Sequence, residues 1–171
     1  YLIIGSGLVG LYAAICAAEK GSVCIVSKSG FDISSSYWAQ GGIAAALDPK
    51  DSYDLHMKDT MIAGRGLCNK QFVEVLVKQG KERIKDLIEM GMKFDTEQGR
   101  LALGLEGGHS RRRVVRAGGN STGKEIVNFL VNKILADKRI KIFEHTNVYK
   151  LCSIGNKCCG VFAVSLDTKE L

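Results

Sequence analysis

Proline is nearly missing from this sequence, with Pro49 its single instance. With 46% hydrophobic and 25% charged residues beside it, that scarcity excludes a disordered tail and marks ordinary globular material. A Cys-x-x-Cys pair is also lacking: Cys16, Cys24, Cys68, Cys152, Cys158 and Cys159 are unevenly spaced, and one pair is vicinal. This argues against a zinc site and against a secreted disulfide framework, so no metal is expected and the cysteines read as buried, reduced thiols of a cytoplasmic protein. Long apolar runs are lacking too. The longest, Leu11–Ala18, falls far short of the ~20 residues that span a membrane. Neither a signal peptide, an internal repeat nor a low-complexity linker is found.

What is present suits one domain with a real core, since 171 residues lie within the ~100–200 residues of a typical domain. Lysine and arginine number 24 against 18 acidic residues, a net charge of +6. That excess favours anionic ligands, although lysines scattered over a surface produce it equally well.

The chain opens on "YLIIGSGLVGLYAA". Tyr1–Ile4 reads as a strand buried on both faces, Gly10–Lys20 as an alanine-rich helix C-capped by Gly21, and Val23–Val26 as a second β-branched strand. Together they form a βαβ unit with a right-handed crossover. Residues 28–50 predict an irregular loop with a short helix. Helices follow over 51–64 and 70–90, the second with Val73, Leu76, Val77, Ile84, Leu87 and Ile88 as its apolar stripe and Glu74–Lys78 as an i,i+4 pair. A hairpin over 93–103 turns at Gln98-Gly99. The helix over 122–136 carries Thr122 and Glu125 as a capping box and Val127, Leu130, Val131, Ile134 and Leu135 as its stripe. Strands are expected over 140–143, 147–154 and 158–166, with Gly155-Asn156 as a hairpin turn.

Gly5-Ser6-Gly7-Leu8-Val9-Gly10 matches G-x-G-x-x-G. Gly5 permits the tight turn, Gly7 lets backbone approach a pyrophosphate, and Gly10 lets helix and strand pack closely. The helix N–H groups and the positive end of its dipole then face the anion. Alone the pattern is weak; between a strand and a helix it favours a dinucleotide. The acidic residue that usually binds the adenosine ribose is missing, and Ser27-Lys28 stand in its place. NAD, NADP and FAD therefore stay open at this point. Further on, "SSSYWAQGGIAAAL" groups small hydroxyls, two aromatics and a Gly-Gly step. Such residues suit donors lying against a flat polar ring and a phosphate, as well as a serine-rich surface loop.

Gly5–Gly10 followed by Ser34–Leu47 resembles the succinate dehydrogenase, fumarate reductase and L-aspartate oxidase flavoprotein superfamily. Within it the resemblance is nearer to the L-aspartate oxidases. It is carried by Trp38–Ala45, by Asp51-Ser52, His56, Asp59-Thr60, Ala63-Gly64 and Gly66–Cys68, by Glu106–Arg113, and by Thr122–Glu125, in order over the whole chain. The resemblance implies an α/β fold, a Rossmann-like FAD-binding domain of the glutathione-reductase type whose βαβ core carries a β-excursion. It implies FAD along Gly5, Ser6, Gly7, Leu8, Val9, Gly10, Lys28, Ser35, Ser36, Tyr37, Trp38, Ala39, Gln40, Gly41 and Gly42. Val148 is added as backbone beside adenine. Ser35 stands where succinate dehydrogenases carry the histidine bonded to flavin, so noncovalent FAD is expected.

"LEGGHSRRRVVRAGG" holds the densest positive charge. A nucleic-acid patch is disfavoured, because neither a stacking platform nor a recognition helix accompanies it. A structural basic strand and a cationic wall around a dicarboxylate or the FAD pyrophosphate both remain. The resemblance gives Glu106 the orientation of substrate: L-aspartate differs from succinate by an α-ammonium, and a carboxylate is its natural partner. His109 is left without a role, and His56 and His145 read as structural. The implied reaction is oxidation of L-aspartate to iminoaspartate, with reoxidation by fumarate or oxygen, at the first step towards NAD. Quinolinate synthase is the implied protein partner. A soluble fumarate reductase or succinate oxidoreductase, and a non-catalytic nucleotide-binding fragment, are the rival readings. The start at Tyr1 and stop at Leu171 predict residues 1–171 to be the N-terminal part of an FAD-binding domain. The capping domain, the C-terminal helical domain and the main catalytic arginine would lie outside the chain.

Overall fold

A computed structural model describes residues 1–169, so the chain's stop at Leu171 lies outside the described residues. The chain divides into two compact units, Tyr1–Ala39 with Gly123–Leu171, and Gln40–Thr122.

The first unit is built on a parallel sheet ordered β1-β2-β8, from β1 (Leu2–Ile4), β2 (Val23–Val26) and β8 (Ile140–Phe143). Helix α1 (Leu8–Ala18) connects β1 to β2, which makes the expected βαβ unit. Leu11, Ala14 and Ala18 recur at helical spacing and are buried. Helix α4 (Thr122–Ala136) buries Ile126, Val127, Leu130 and Ile134, and β2 buries Val23, Ile25 and Val26. Each such side chain is worth ~1.5–3 kcal/mol on burial. Strands β9 (Thr146–Ile154) and β10 (Lys157–Ser165) form an antiparallel hairpin that turns at Gly155-Asn156, with Gly155 at φ 59°.

Several details depart from expectation. Strand β1 is not buried on both faces: Leu2 and Ile4, which alternation puts on one face, are exposed, and Ile3 on the other face is half-buried. Gly21 is not the C-cap of α1. The helix closes two residues earlier at Glu19 in right-handed geometry, and Gly21 N–H still donates to Ala17 O, so no left-handed residue is required. Leu135 is exposed, and Ile126 takes its place in the α4 stripe. The cysteines are all free, as expected, but none is buried: Cys16, Cys158 and Cys159 are exposed, and Cys24, Cys68 and Cys152 are half-buried.

The second unit packs helices α2 (Tyr53–Ala63) and α3 (Lys70–Glu89) with two small antiparallel sheets. Ser52 caps α2 by accepting from Leu55 N–H, and Asn69 caps α3 by accepting from Gln71 and Phe72 N–H. On α3, Val73, Val77, Ile84 and Leu87 are buried, whereas Leu76 and Ile88 point to solvent. The Glu74–Lys78 pair forms at 2.5 Å. One sheet is β3 (Ile43–Ala44), β7 (Val114–Val115) and β6 (Leu103–Gly104), ordered β3-β7-β6. The other is the hairpin β4 (Thr96–Glu97) and β5 (Arg100–Leu101), which turns at Gln98-Gly99 with both residues at positive φ.

Candidate functional site

The glycine loop leaves β1 at Gly5, whose φ of 103° favours glycine and whose N–H is tied to Val26 O on β2. Gly10 is fixed by packing: a Cβ there would lie 2.1 Å from Gly5 O. Helix and strand can approach this closely only without a side chain. Gly7 is the N-cap of α1 and no cap side chain covers that end. Ser36 reaches it instead, its Oγ accepting from Leu8 N–H at 3.0 Å. The hydroxyl proton of Ser36 is left to donate to an anion placed there.

Ser6 and Ser27 sort themselves by hydrogen bonding. Both are buried, their Oγ atoms lie 2.6 Å apart, and Ser27 Oγ donates to Ser29 O. Ser6 therefore offers a ligand only its backbone, and Ser27 locks the loop to the end of β2. Lys28 beside it is exposed. Thr146 N–H, in β9, donates to Ser27 O at 2.8 Å, which brings the start of that strand to the ribose position of the motif. Val148, half-buried, follows two residues on.

The segment 34–39 is a run of turns. Ser34 O accepts from Tyr37 and Trp38 N–H, and Ala39 O accepts from Gly123 N–H. A Cβ on Gly123 would lie 2.0 Å from Ser36 O, so this glycine lets the start of α4 seat against the turn. Ser35 is exposed, Trp38 is 71% exposed, and the Tyr37 ring meets Trp38 edge-on. A helix N-terminus that Ser36 reaches with its hydroxyl, a glycine cradle and exposed hydroxyl and aromatic groups suit a dinucleotide with a flat ring.

In the second unit, Gly41 has φ 82° and its carbonyl accepts from Thr122 Oγ1 at 3.0 Å. Thr122 Oγ1 also accepts from Ala117 N–H. The expected capping box makes Thr122 the N-cap, whereas Thr122 is the first residue of α4 and its buried hydroxyl is held by Gly41 and Ala117. Gly42 is required by β7, since a Cβ there would lie 2.3 Å from Val115 O. Over Gly41 stands Glu106: the position of a Cβ on that glycine is 3.9 Å from Glu106 Oε1. Arg116 Nη2 donates to the same Oε1 at 2.6 Å. The pair is about 40% exposed at each side chain, so it adds at most ~1 kcal/mol of stability. Its consequence is orientation of the carboxylate.

Arg113 behaves differently and is no part of a cationic wall. It is fully buried, with Nε and Nη2 on the two oxygens of Asp51 and Nη1 on Asp59 Oδ2, all at 2.7–2.8 Å. Asp59 Oδ2 also accepts from Ser110 N–H and Oγ–H. Burial alone would raise the Asp59 pKa, but the Ser110 and Arg113 donors outweigh it and hold it below the usual carboxylate value. His109 Nδ1 lies 3.4 Å from Arg113 Nη1, and its ring meets buried His56 edge-on at 5.8 Å. Burial, then the Arg113 charge, pushes the His56 pKa down. Its Nδ1 is without a hydrogen-bond partner among the described residues.

Sequence reasoning named Glu106 but missed its partner Arg116, the clamp from Thr122, and Asp51 and Asp59 as partners of Arg113. The two aspartates stand in the segment that carries the family resemblance, which was their only signal. Asp95 was missed too: its carboxylate accepts from Gly118 and Gly119 N–H and orders the turn after Arg116.

Residues 1–171 match the family model described as FAD binding domain. The chain is 40% identical over 176 residues to L-aspartate oxidase 2-b, chloroplastic, of Nicotiana tabacum, covering 100% of this chain and 27% of that protein. It is 44% identical over 137 residues to L-aspartate oxidase of Streptomyces coelicolor, covering 79% of this chain and 24% of that one. Among solved structures, the Mycobacterium smegmatis Sdh1 complex superposes with a TM-score of 0.87 at 34% identity, over 95% of this chain and 30% of that one. E. coli quinol fumarate reductase superposes with a TM-score of 0.89 at 26% identity, over 96% and 28%. The chain thus spans about a quarter of the length of the curated relatives it matches. With a βαβ glycine cradle at its start, this α/β chain belongs to the FAD binding domain family.

Proposed function

We propose that the protein containing this chain oxidises L-aspartate to iminoaspartate with noncovalently held FAD, and that fumarate or oxygen takes the electrons onward. Support comes from L-aspartate oxidase relatives at 38–44% identity, and from the placement of Glu106 over Gly41. FAD, when bound, supplies the hydride acceptor. The backbone of Gly5–Gly10 and the Ser36 hydroxyl hold its pyrophosphate, Lys28 and Val148 face its adenosine half, and Ser35 and Tyr37–Gly42 line its flavin half. Ser35 offers a hydroxyl in place of the histidine imidazole that bonds to the ring in succinate dehydrogenases.

Glu106 receives the α-ammonium of aspartate, and Arg116 keeps that carboxylate aimed. A substrate without the ammonium gains nothing from Glu106. Residues beyond this chain would complete the anchors for the two substrate carboxylates, together with the capping and helical domains. Compartment follows the same reading: six free thiols suit a reducing interior such as the cytoplasm, and no helix among the described residues is long and apolar enough to cross a membrane. Quinolinate synthase, as consumer of a labile imine, is the partner we propose.

The observation that carries the proposal is the Glu106 carboxylate, held by Arg116 beside the Gly41 step. Glu106→Gln tests it in the complete enzyme. Aspartate oxidation should fall by about 100-fold or more in kcat/KM, in keeping with loss of a charge-assisted contact, while fumarate reduction changes little. Equal losses on the two substrates would favour the rival reading, a soluble fumarate reductase, which the fumarate reductase superposition also supports.

A further inference from the structure

Adjacent residues of a regular strand point to opposite faces, so vicinal cysteines in a β-hairpin ordinarily cannot act together. Cys158 and Cys159 escape that rule. In the pairing of β10 with β9, Cys158 is opposite Ser153 and Gly160 is opposite Cys152, while Cys159 is the extra, unpaired residue of a β-bulge. A bulge breaks the alternation and re-aims a side chain. Both cysteines accordingly line one cavity of ≈310 Å³, together with Leu2, Ile4, Leu151 and Val161. Both are free and exposed, and their thiols make only long contacts to carbonyls of their own strand, Cys158 to Gly160 O at 3.6 Å and Cys159 to Lys157 O at 3.5 Å. Nothing in the FAD cradle or the Glu106 site uses them.

We propose that Cys158 and Cys159 form a vicinal dithiol site that captures a soft, thiophilic centre, such as trivalent arsenic, between two sulfurs. Three arguments select this chemistry. A tetrahedral zinc site needs four ligands, and among the described residues no group of three or more metal-ligating side chains exists. Soft thiolates alone select soft centres of low coordination number. A disulfide between the two would span Cα atoms ~3.8 Å apart, shorter than disulfides normally adopt, so closure to a disulfide is strained whereas capture of a bridging atom is not. The apolar wall from Leu2, Ile4, Leu151 and Val161 gives an aryl or alkyl substituent on that atom a place to rest.

Phenylarsine oxide is the probe. Its capture is a condensation with no change of oxidation state: two S–H bonds break, two As–S bonds form, and the oxide oxygen leaves with the two protons as water. The reduced, purified protein should take up one phenylarsenic group by intact mass. The adduct should survive excess 2-mercaptoethanol and be stripped by 2,3-dimercaptopropanol, as expected for a two-sulfur chelate. Cys158→Ser and Cys159→Ser should each abolish the monothiol-resistant adduct. Cys152→Ser should keep it, because Cys152 lies next to Leu151 in β9 and so faces away from the cavity. An adduct that persists in either serine variant, or one that 2-mercaptoethanol removes from the parent protein, would overturn the proposal.

Discussion

Single residues here divide into those that hold the chain and those left to act, and burial decides which is which. Arg113 and Arg116 stand three residues apart in one basic run, yet the first is fully buried between Asp51 and Asp59 while the second is partly exposed on Glu106. Removing one partner of a buried ion pair costs ~3–5 kcal/mol because the other charge is stranded. Arg113→Ala should therefore lower unfolding stability by about that amount in urea titration, and Arg116→Ala by ~1 kcal/mol or less. A pH scan adds a second test. His56 has its folded pKa depressed, so its contribution is present above the unfolded value of ~6.5 and is lost as pH falls towards the folded value. Stability should decline as pH falls below about 6.5, and His56→Leu should flatten that slope. Asp59, also depressed, contributes above ~3.9 and is lost only in stronger acid, so the two effects separate along the pH axis. The proposed role of Glu106 rests on family resemblance, whereas its pairing with Arg116 had no signal in the sequence. The division of labour among the arginines was not legible, because alternation along an assumed strand says nothing about which face meets Asp51 and Asp59.

At the scale of elements, the βαβ unit was the most legible part of the chain. Three glycines at fixed spacing between an apolar run and an alanine-rich run leave few alternatives, and the structure adds the physical reason for the third: Gly5 O occupies the space that a Cβ on Gly10 would need. Gly10→Ala should push α1 off β1 and weaken FAD binding by tenfold or more, about 1.4 kcal/mol, read by flavin fluorescence titration. The Gln98-Gly99 and Gly155-Asn156 turns were equally readable, since both place residues at positive φ. Helix ends were less so. Thr122 and Glu125 spell a capping box, but a tertiary demand from Gly41 and Ala117 takes the threonine hydroxyl first. Stripe membership erred at Leu76, Ile88 and Leu135 for a related reason: periodicity gives a face, and neighbours decide how wide that face is.

For the molecule as a whole, the sequence disclosed the α/β class and the flavin, while the split into two units at Ala39–Gln40 and Thr122–Gly123 left no mark in composition. The split falls inside the motifs themselves, Tyr37–Gly42 and Thr122–Glu125, which is why no linker signal announces it. The proposed noncovalent attachment rests on Ser35 and is checked by acid precipitation of the complete enzyme, which should release all its FAD into the supernatant. Anaerobic bleaching of the flavin absorbance in the complete enzyme is the direct test of the proposed substrate. L-Aspartate should bleach the yellow colour, succinate at the same concentration should not, and admission of oxygen or fumarate should restore it. Bleaching by succinate with no response to L-aspartate would contradict the account.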